Sequence, residues 1–494
     1  MKQTLTYWIA FLFYSLVVVG IGFYIWRRDR RRQRSASNQS FWSADKKLSG
    51  WSSGLSISAS MMSISWSCVY GVQLFYWYGM GAAWLLSIPW LVTMLGFFSF
   101  APLFRKLQVF SQPELLEKCF GRRSRQLLAP ALIFVFIVWA GAEIWAAGKN
   151  IAPFLGISHK LTISIIAFIV ALYTFTGGFE AVVSTDKFQY ALVALFITSM
   201  AAVGILAAQA TGTAPADLFA ASAVAPKRSP EMPWFFSPGI ALIALTFFAY
   251  LPGWLVETDV WIRLQAARSD WEARKGVMVA GFNSLVFVGI LPMFIGLSAL
   301  ALYPPLQGEI PARLQDGAVI FNVLMQDFTP PWLSVLLGIG LVAAAMSTVD
   351  TCSNVVALSI SYDLLEPHLN ARWNGARLEA LARWVSVGAV GLALLYAWFT
   401  ESLWDIFYLS SGILTTTVFI PVISAFRRGV AARQVNFSIL FGFCGTLLFY
   451  YLESRGHLRG VEPAWFAETE IGYILLGFCC SVIGFFAGKV RARE

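Results

Sequence analysis

The chain reads as an all-α polytopic membrane protein of about 13 transmembrane helices, and three observations predict it. Hydrophobic residues make up 58% of the 494 and charged residues only 13%, a balance no soluble globular domain carries. Apolar runs near 20 residues recur along the whole length, each long enough to cross a bilayer. The basic residues fall mainly in alternate loops. If the first span runs outside to inside, 28 of the 36 Lys and Arg lie on the cytoplasmic side, the asymmetry that sets membrane orientation. The net charge of +9 therefore reports an N-out, C-in topology rather than a nucleic-acid partner.

Hydropathy and loop breaks place the spans near 6–26, 51–78, 83–104, 128–149, 161–181, 185–208, 237–262, 276–302, 331–362, 381–400, 403–426, 435–452 and 470–488. The first has no small-residue cleavage site and precedes its basic cluster, so it is expected to be retained. Span 2 is crowded with Gly54, Ser56, Ser58, Ser60, Ser63, Ser65 and Ser67, a stretch that unwinds easily. Span 7 carries Pro252-Gly253 in its middle, where proline removes a backbone bond and glycine permits a bend. Two interrupted helices five spans apart predict an inverted repeat, spans 2–6 against spans 7–11, holding solute and ion near the midplane. The single transporter domain, 1–494, then divides into an extra N-terminal helix and basic loop (1–50), a core (51–430) and two C-terminal helices (431–494). The longer outside loops, about 209–236 and 303–330, are rich in Pro, Ala and Gly and look like lids or connectors. The six cysteines show no extracellular disulfide pattern. His159, His368 and His457 lie in predicted loops with no nucleophile–base pair apparent, so no enzyme activity is expected.

Span 9 carries a polar stripe through an apolar helix. At helical spacing Ala344, Ser347, Thr348 and Thr351 share one face and Asp350 borders it. Hydroxyls, a carboxylate and freed carbonyls converging there would suit a small hard cation; the plain alternative is that Ser and Thr join helices. Asp186, after the Gly-Gly turn that ends span 5, is either an N-terminal cap or, with Thr185 capping, a residue facing the bundle.

The stretch TGGFEAVVSTDKFQY from Thr176 resembles the sodium:solute symporter pattern GG-x-x-A-V-x-x-T-D-x-x-Q, with Gly177, Gly178, Ala181, Val182, Thr185, Asp186 and Gln189 matching. AAAMSTVDT from Ala343 is similar to that family's ion-binding helix and ASMMS from Ala59 to its unwound first core helix. DVWIRLQAARSDWEARKG from Asp259 resembles its basic connector, with Thr258 where a glutamine is usual. The resemblance covers roughly residues 40–430. It implies a fold like that of the bacterial leucine transporter. It further implies sodium-coupled symport of a small polar organic solute (sugar or polyol, amino acid or related compound) into the cell by alternating access. Carried onto this chain, the main sodium site would use carbonyls of Ala59, Met62 and Ala344 with hydroxyls of Ser347 and Thr348. A second would use Asp186, Ser347, Asp350 and Thr351, unless the two acids share a proton or Asp350 bonds to a neighbouring backbone.

The same resemblance places the solute near Ser63, Trp66, Gln73, Trp139, Glu143, Tyr250, Gly253 and Trp254, with Ser410 and Ser411 nearby. For each Trp, packing or interfacial anchoring is the competing role. Glu143 in mid-helix either meets the cavity, is protonated, or lies nearer the outer surface. Asn283-Ser284 stands where the family's sugar carriers place a lysine, and no Lys or Arg is expected inside a core span. The acidic, aromatic pocket suits a neutral, zwitterionic or cationic solute better than an anion. Sodium is the expected coupling ion, with no organic cofactor. The expected partners are the bilayer of the plasma (inner) membrane and the solute, with no nucleic acid and no obligate protein partner. The rival readings are a transporter-fold membrane sensor, which would need a separate signalling partner, and a proton-coupled carrier.

Overall fold

In the computed structural model the described residues are 2–32, 47–107, 109, 111–176, 179–369, 375–458, 460 and 462–489. Gly177 and Gly178 of the Gly-Gly motif lie outside them. Every regular element among the described residues is helical. The chain runs through α1 (Lys2–Arg32), α2 (Gly50–Met61), α3 (Ile64–Trp84), α4 (Ser87–Lys106), α5 (Gln112–Phe120), α6 (Arg122–Leu155), α7 (His159–Thr176) and α8 (Phe179–Ala210). It continues through α9 (Ile240–Trp254), α10 (Thr258–Gln265), α11 (Asp270–Leu302), α12 (Ile320–Phe328), α13 (Pro331–His368), α14 (Gly375–Phe399), α15 (Leu403–Ser424), α16 (Ala432–Ser454) and α17 (Gly472–Ala487). Among the described residues nine helices are long and apolar enough to cross a bilayer. Two further crossings are bent pairs, α2–α3 by 57° and α9–α10 by 41°. The bent pairs stand five segments apart, the spacing an inverted repeat requires. Large apolar side chains such as Phe13, Leu95, Phe282 and Phe399 are exposed on the periphery, as suits a lipid-facing wall.

The serines of α2 do not unwind it. Gly50 and Gly54 let its backbone meet α11: a Cβ at Gly54 would stand 2.7 Å from the Gly276 carbonyl, the close approach that small residues permit between membrane helices. Ser58 donates to the Gly54 carbonyl (2.7 Å) and accepts from Asn283 (2.9 Å). The break is confined to Met62–Ser63. Ser63 Oγ then caps α3 by accepting from the Trp66 amide at 2.9 Å.

The second break also differs from expectation. Pro252-Gly253 lies within α9, and the chain leaves the helix only after Trp254. The reason is an inserted side chain: Gly253 N–H donates to Thr415 Oγ1 (3.0 Å), which donates to the Ala249 carbonyl (2.6 Å). The α15 hydroxyl thus bridges one step of the α9 ladder. It sits in a π turn of α15 spanning Leu414–Phe419. The turn after Trp254 is held from α5, where Gln112 Nε2 donates to the Val256 carbonyl at 2.9 Å. Finally, α8 begins at Phe179 rather than near 185, so Asp186 is a mid-helix residue and not a cap.

Candidate ion and solute site

Ending α2 at Met61 leaves its last carbonyls without helical partners. Two of them face α13. Ser347 Oγ lies 3.3 Å from the Ala59 carbonyl and 2.9 Å from that of Ala344, and Thr348 Oγ1 lies 3.2 Å from the Ser60 carbonyl and 3.5 Å from that of Ala344. This is a compact group of neutral oxygens spanning two helices, the hard donor set that suits a small monovalent cation. Four of the five sodium-site residues expected from the sequence, Ala59, Ala344, Ser347 and Thr348, come together here. Met62 terminates α2, its amide bonded to Ser58 at 2.8 Å. No hydrogen bond ties the Met62 carbonyl to the group, and the Ser60 carbonyl stands there instead.

One turn further along both helices the chemistry changes. Arg263, expected in a solvated cytoplasmic connector, is 1% exposed and points from α10 into the core. Its Nε donates to Ser56 Oγ (2.8 Å) and its Nη1 to Asp259 Oδ2 (3.0 Å) and the Asp259 carbonyl (3.1 Å). Its Nη2 reaches Thr351 Oγ1 (3.1 Å), Ser60 Oγ (3.2 Å) and Asp186 Oδ2 (3.3 Å), and Ser56 Oγ donates on to Asp186 at 2.5 Å. The place assigned from sequence to a second sodium or a proton, between Asp186 and Thr351, is therefore filled by a guanidinium. The expectation of a core without Lys or Arg fails for the same reason. Asp350, also assigned there, is buried but accepts no hydrogen bond from any of these groups.

A cavity adjoins both clusters. Ser63, Trp66, Trp139, Glu143, Trp254 and Ser411 line it as expected, joined by Ser60, Thr348 and Thr351. The carboxylate of Glu143 faces the break: Oε2 accepts from the Ile64 amide (3.1 Å), Oε1 from the Ser65 amide (3.3 Å), and Ser65 Oγ donates to Oε1. Of the alternatives for Glu143, it meets the cavity. Three indoles are each fixed by a scaffold hydroxyl: Trp139 Nε1 to Ser410 (2.7 Å), Trp90 to Ser284 (2.9 Å) and Trp254 to Ser411 (3.3 Å).

Three expected solute contacts lie elsewhere. Gln73 Nε2 donates to the Asp316 carbonyl at 2.6 Å, tying α3 to a loop. Tyr250 is fully buried and stacks between Trp254 (4.2 Å) and Tyr408 (5.0 Å), so it backs the wall. Gly253 is pressed against α15, where a Cβ would meet Leu414 Cβ at 2.7 Å. Sequence reasoning missed Trp90, Phe136, Glu257, Asp259 and Phe407, all of which line the cavity. Phe136, Trp139 and Glu143 at i, i+3 and i+7 share a face of α6, a signal that was available. Asp259 and Arg263 at i, i+4 carried another, an internal ion pair, which a basic run downstream concealed.

Comparison with known proteins agrees with this fold. The sodium/glucose cotransporter of Vibrio parahaemolyticus is 26% identical over 413 residues, 78% of this chain and 74% of that protein. The sodium/sialic acid symporter of Aliivibrio fischeri is 23% identical over 448 residues, covering 88% and 84%. The sodium/proline symporter of Staphylococcus aureus (strain Newman) is 22% identical over 401 residues, covering 78% and 74%. Among solved structures, a substrate-bound, outward-open Na+-coupled sialic acid symporter matches with a TM-score of 0.71 at 17% identity, over 99% of this chain and 98% of that one. The nucleobase-cation symporter Mhp1 matches at 0.50 and 12% identity over 91% and 93%. The profile of the sodium:solute symporter family spans residues 41–428, and the chain belongs to that family.

Proposed function

We propose that this sodium-coupled symporter binds its coupling ion at the carbonyls of Ala59, Ser60 and Ala344 and the hydroxyls of Ser347 and Thr348, and its solute in the adjoining cavity. The observation that carries the reading is the convergence of these neutral oxygens across the break of α2 and the middle of α13. A cation entering there replaces hydroxyl-to-carbonyl bonds with ion–oxygen contacts and ties α2 to α13. Ser60 and Thr348 also line the cavity, so the ion organises one of its walls. Binding of either ligand then favours the arrangement the other needs, which is the coupling free energy of symport. With N-out, C-in topology, one sodium crossing a 100 mV potential supplies about 2.3 kcal/mol, or roughly a fiftyfold concentration of a neutral solute. We assign one sodium per cycle, since Arg263 supplies the charge of a second.

Purified protein in liposomes should accumulate its solute under an imposed inward sodium gradient and not under a proton gradient alone. Accumulation driven equally by protons would overturn the assignment in favour of a proton-coupled carrier. Saturable solute binding with no flux under either gradient would favour a sensor.

A further inference from the structure

We propose that the solute is a small organic cation of the alkylated-ammonium class, which rests on reading the central cavity as the solute site. The first support is the treatment of the α3 N-terminus. In broken-helix transporters these amides receive an anionic group of the solute. Here the Ile64 and Ser65 amides and Ser65 Oγ already donate to Glu143. The two amides can only donate, so these contacts favour the ionised carboxylate over the protonated acid. A solute carboxylate would meet occupied donors and a fixed negative charge.

The second support is the charge balance. Glu143, Glu257 and Asp259 line the cavity, and among the described residues no Lys, Arg or His does. Arg263 divides its ion pairs between Asp186 and Asp259, leaving Glu143 and Glu257 with no ion-pair partner among the described residues. One sodium offsets one of these charges. The negative charge that remains, including the one a single guanidinium leaves on Asp186 and Asp259, favours a cationic solute, because a buried charge without a counter-charge is costly.

The third support is the wall. The indole N–H groups of Trp90, Trp139 and Trp254 are spent on Ser284, Ser410 and Ser411, so these rings offer the cavity faces and apolar edges. Trp66 meets Phe407 edge to face at 4.7 Å and Trp254 at 5.4 Å, forming a corner of perpendicular rings. Rings so disposed attract a weakly hydrated cation. The three indoles bonded to serines supply no donor to a polyhydroxylated solute.

The test measures sodium-dependent binding to the purified full-length protein in nanodiscs. Cationic probes are tetramethylammonium, choline and guanidinium. The others are 3,3-dimethyl-1-butanol (the uncharged carbon isostere of choline), glycine betaine, glucose, proline and sialic acid. A cation is expected to bind best, with choline about 30-fold tighter than its isostere, the factor a desolvated cation–π contact provides. E257Q should weaken the cation about tenfold and leave the isostere unchanged, with a retained sodium-induced thermal shift confirming a folded protein. A neutral or anionic probe binding tighter than every cation overturns the proposal, as does the failure of all cations below about 10 mM. W254L separates the two layers. If it abolishes binding of a neutral winner, the cavity stands and the charge class falls. If the winner binds W254L and E257Q as it binds the parent protein, the cavity assignment itself falls.

Discussion

Two polar clusters one helical turn apart are built on the same pair of helices, α2 and α13, yet one is neutral and the other carries its own ions. In the first, backbone carbonyls of Ala59, Ser60 and Ala344 meet the hydroxyls of Ser347 and Thr348. In the second, Asp186 and Asp259 close on Arg263 with Ser56, Ser60 and Thr351 completing the donor count. A neutral oxygen group gains from a mobile cation and releases it at modest cost. In the other, two buried acids share one guanidinium, which belongs to the chain and cannot leave. The helices that must sense sodium therefore carry one exchangeable positive charge and one permanent one. Ser60 belongs to both, its carbonyl to the first and its hydroxyl to the second.

The largest effect expected from breaking this contrast is in R263A. Removing the guanidinium leaves Asp186 and Asp259 buried without a counter-charge, a loss of about 3 to 5 kcal/mol for a buried pair. Thermal unfolding should shift sharply downward in sodium-free buffer. Added sodium should recover part of the loss and its binding should become cooperative, because two anionic side chains and three hydroxyls now offer a second cation site. R263K, which keeps the charge but not the five-donor fork, should fall between. If R263A melts with the parent protein and binds sodium without cooperativity, the permanent-charge reading is wrong.

The neutral cluster should respond in the opposite way. In S347A/T348A two hydroxyl ligands are lost while the helices keep their packing, and each lost hydroxyl-to-carbonyl bond costs only about 1 kcal/mol. Apparent sodium affinity is expected to fall at least about tenfold, with the melting temperature in sodium-free buffer nearly unchanged. Isothermal titration with sodium and a thermal scan of the same preparation check both halves. Unchanged sodium affinity would remove these residues from the site.

The ease with which each cluster could be read from the chain follows from the same contrast. Ser347, Thr348 and Thr351 stand at fixed helical offsets in an apolar helix, so their common face was visible from periodicity alone. The break in α2 was visible as a serine-rich stretch, although the serines turned out to partner Asp186, Asn283 and the α2 backbone while only Met62–Ser63 left the helix. The second break was legible as Pro252-Gly253 but misplaced, since the hydroxyl that bridges the ladder comes from Thr415, 162 residues away. Arg263 was hidden because it begins a basic run, and hydropathy scores a guanidinium as solvated whatever its partners. Trp90 and Phe407 looked like any other membrane aromatics. Long-range partners decide these positions, and no local pattern encodes them.

Asp350 gives the smallest effect and the sharpest boundary between the clusters. It precedes Thr351, a member of the charged group, and follows Thr348 of the neutral group by two residues, so by position it could serve either. It is buried at 4% exposure, yet it accepts no hydrogen bond from Arg263, Thr351 or Ser347. D350N preserves shape and removes one charge. If Asp350 belongs to neither cluster, apparent sodium affinity should stay within about threefold of the parent, and the R263A defect should persist in the double variant with the two effects adding. If D350N instead relieves R263A, the carboxylates of Asp350 and Asp186 repel one another once the guanidinium is gone, and the charged cluster extends one residue further along α13. A large loss of sodium affinity in D350N alone would place a carboxylate at the coupling ion and end the division into a neutral and a charged site.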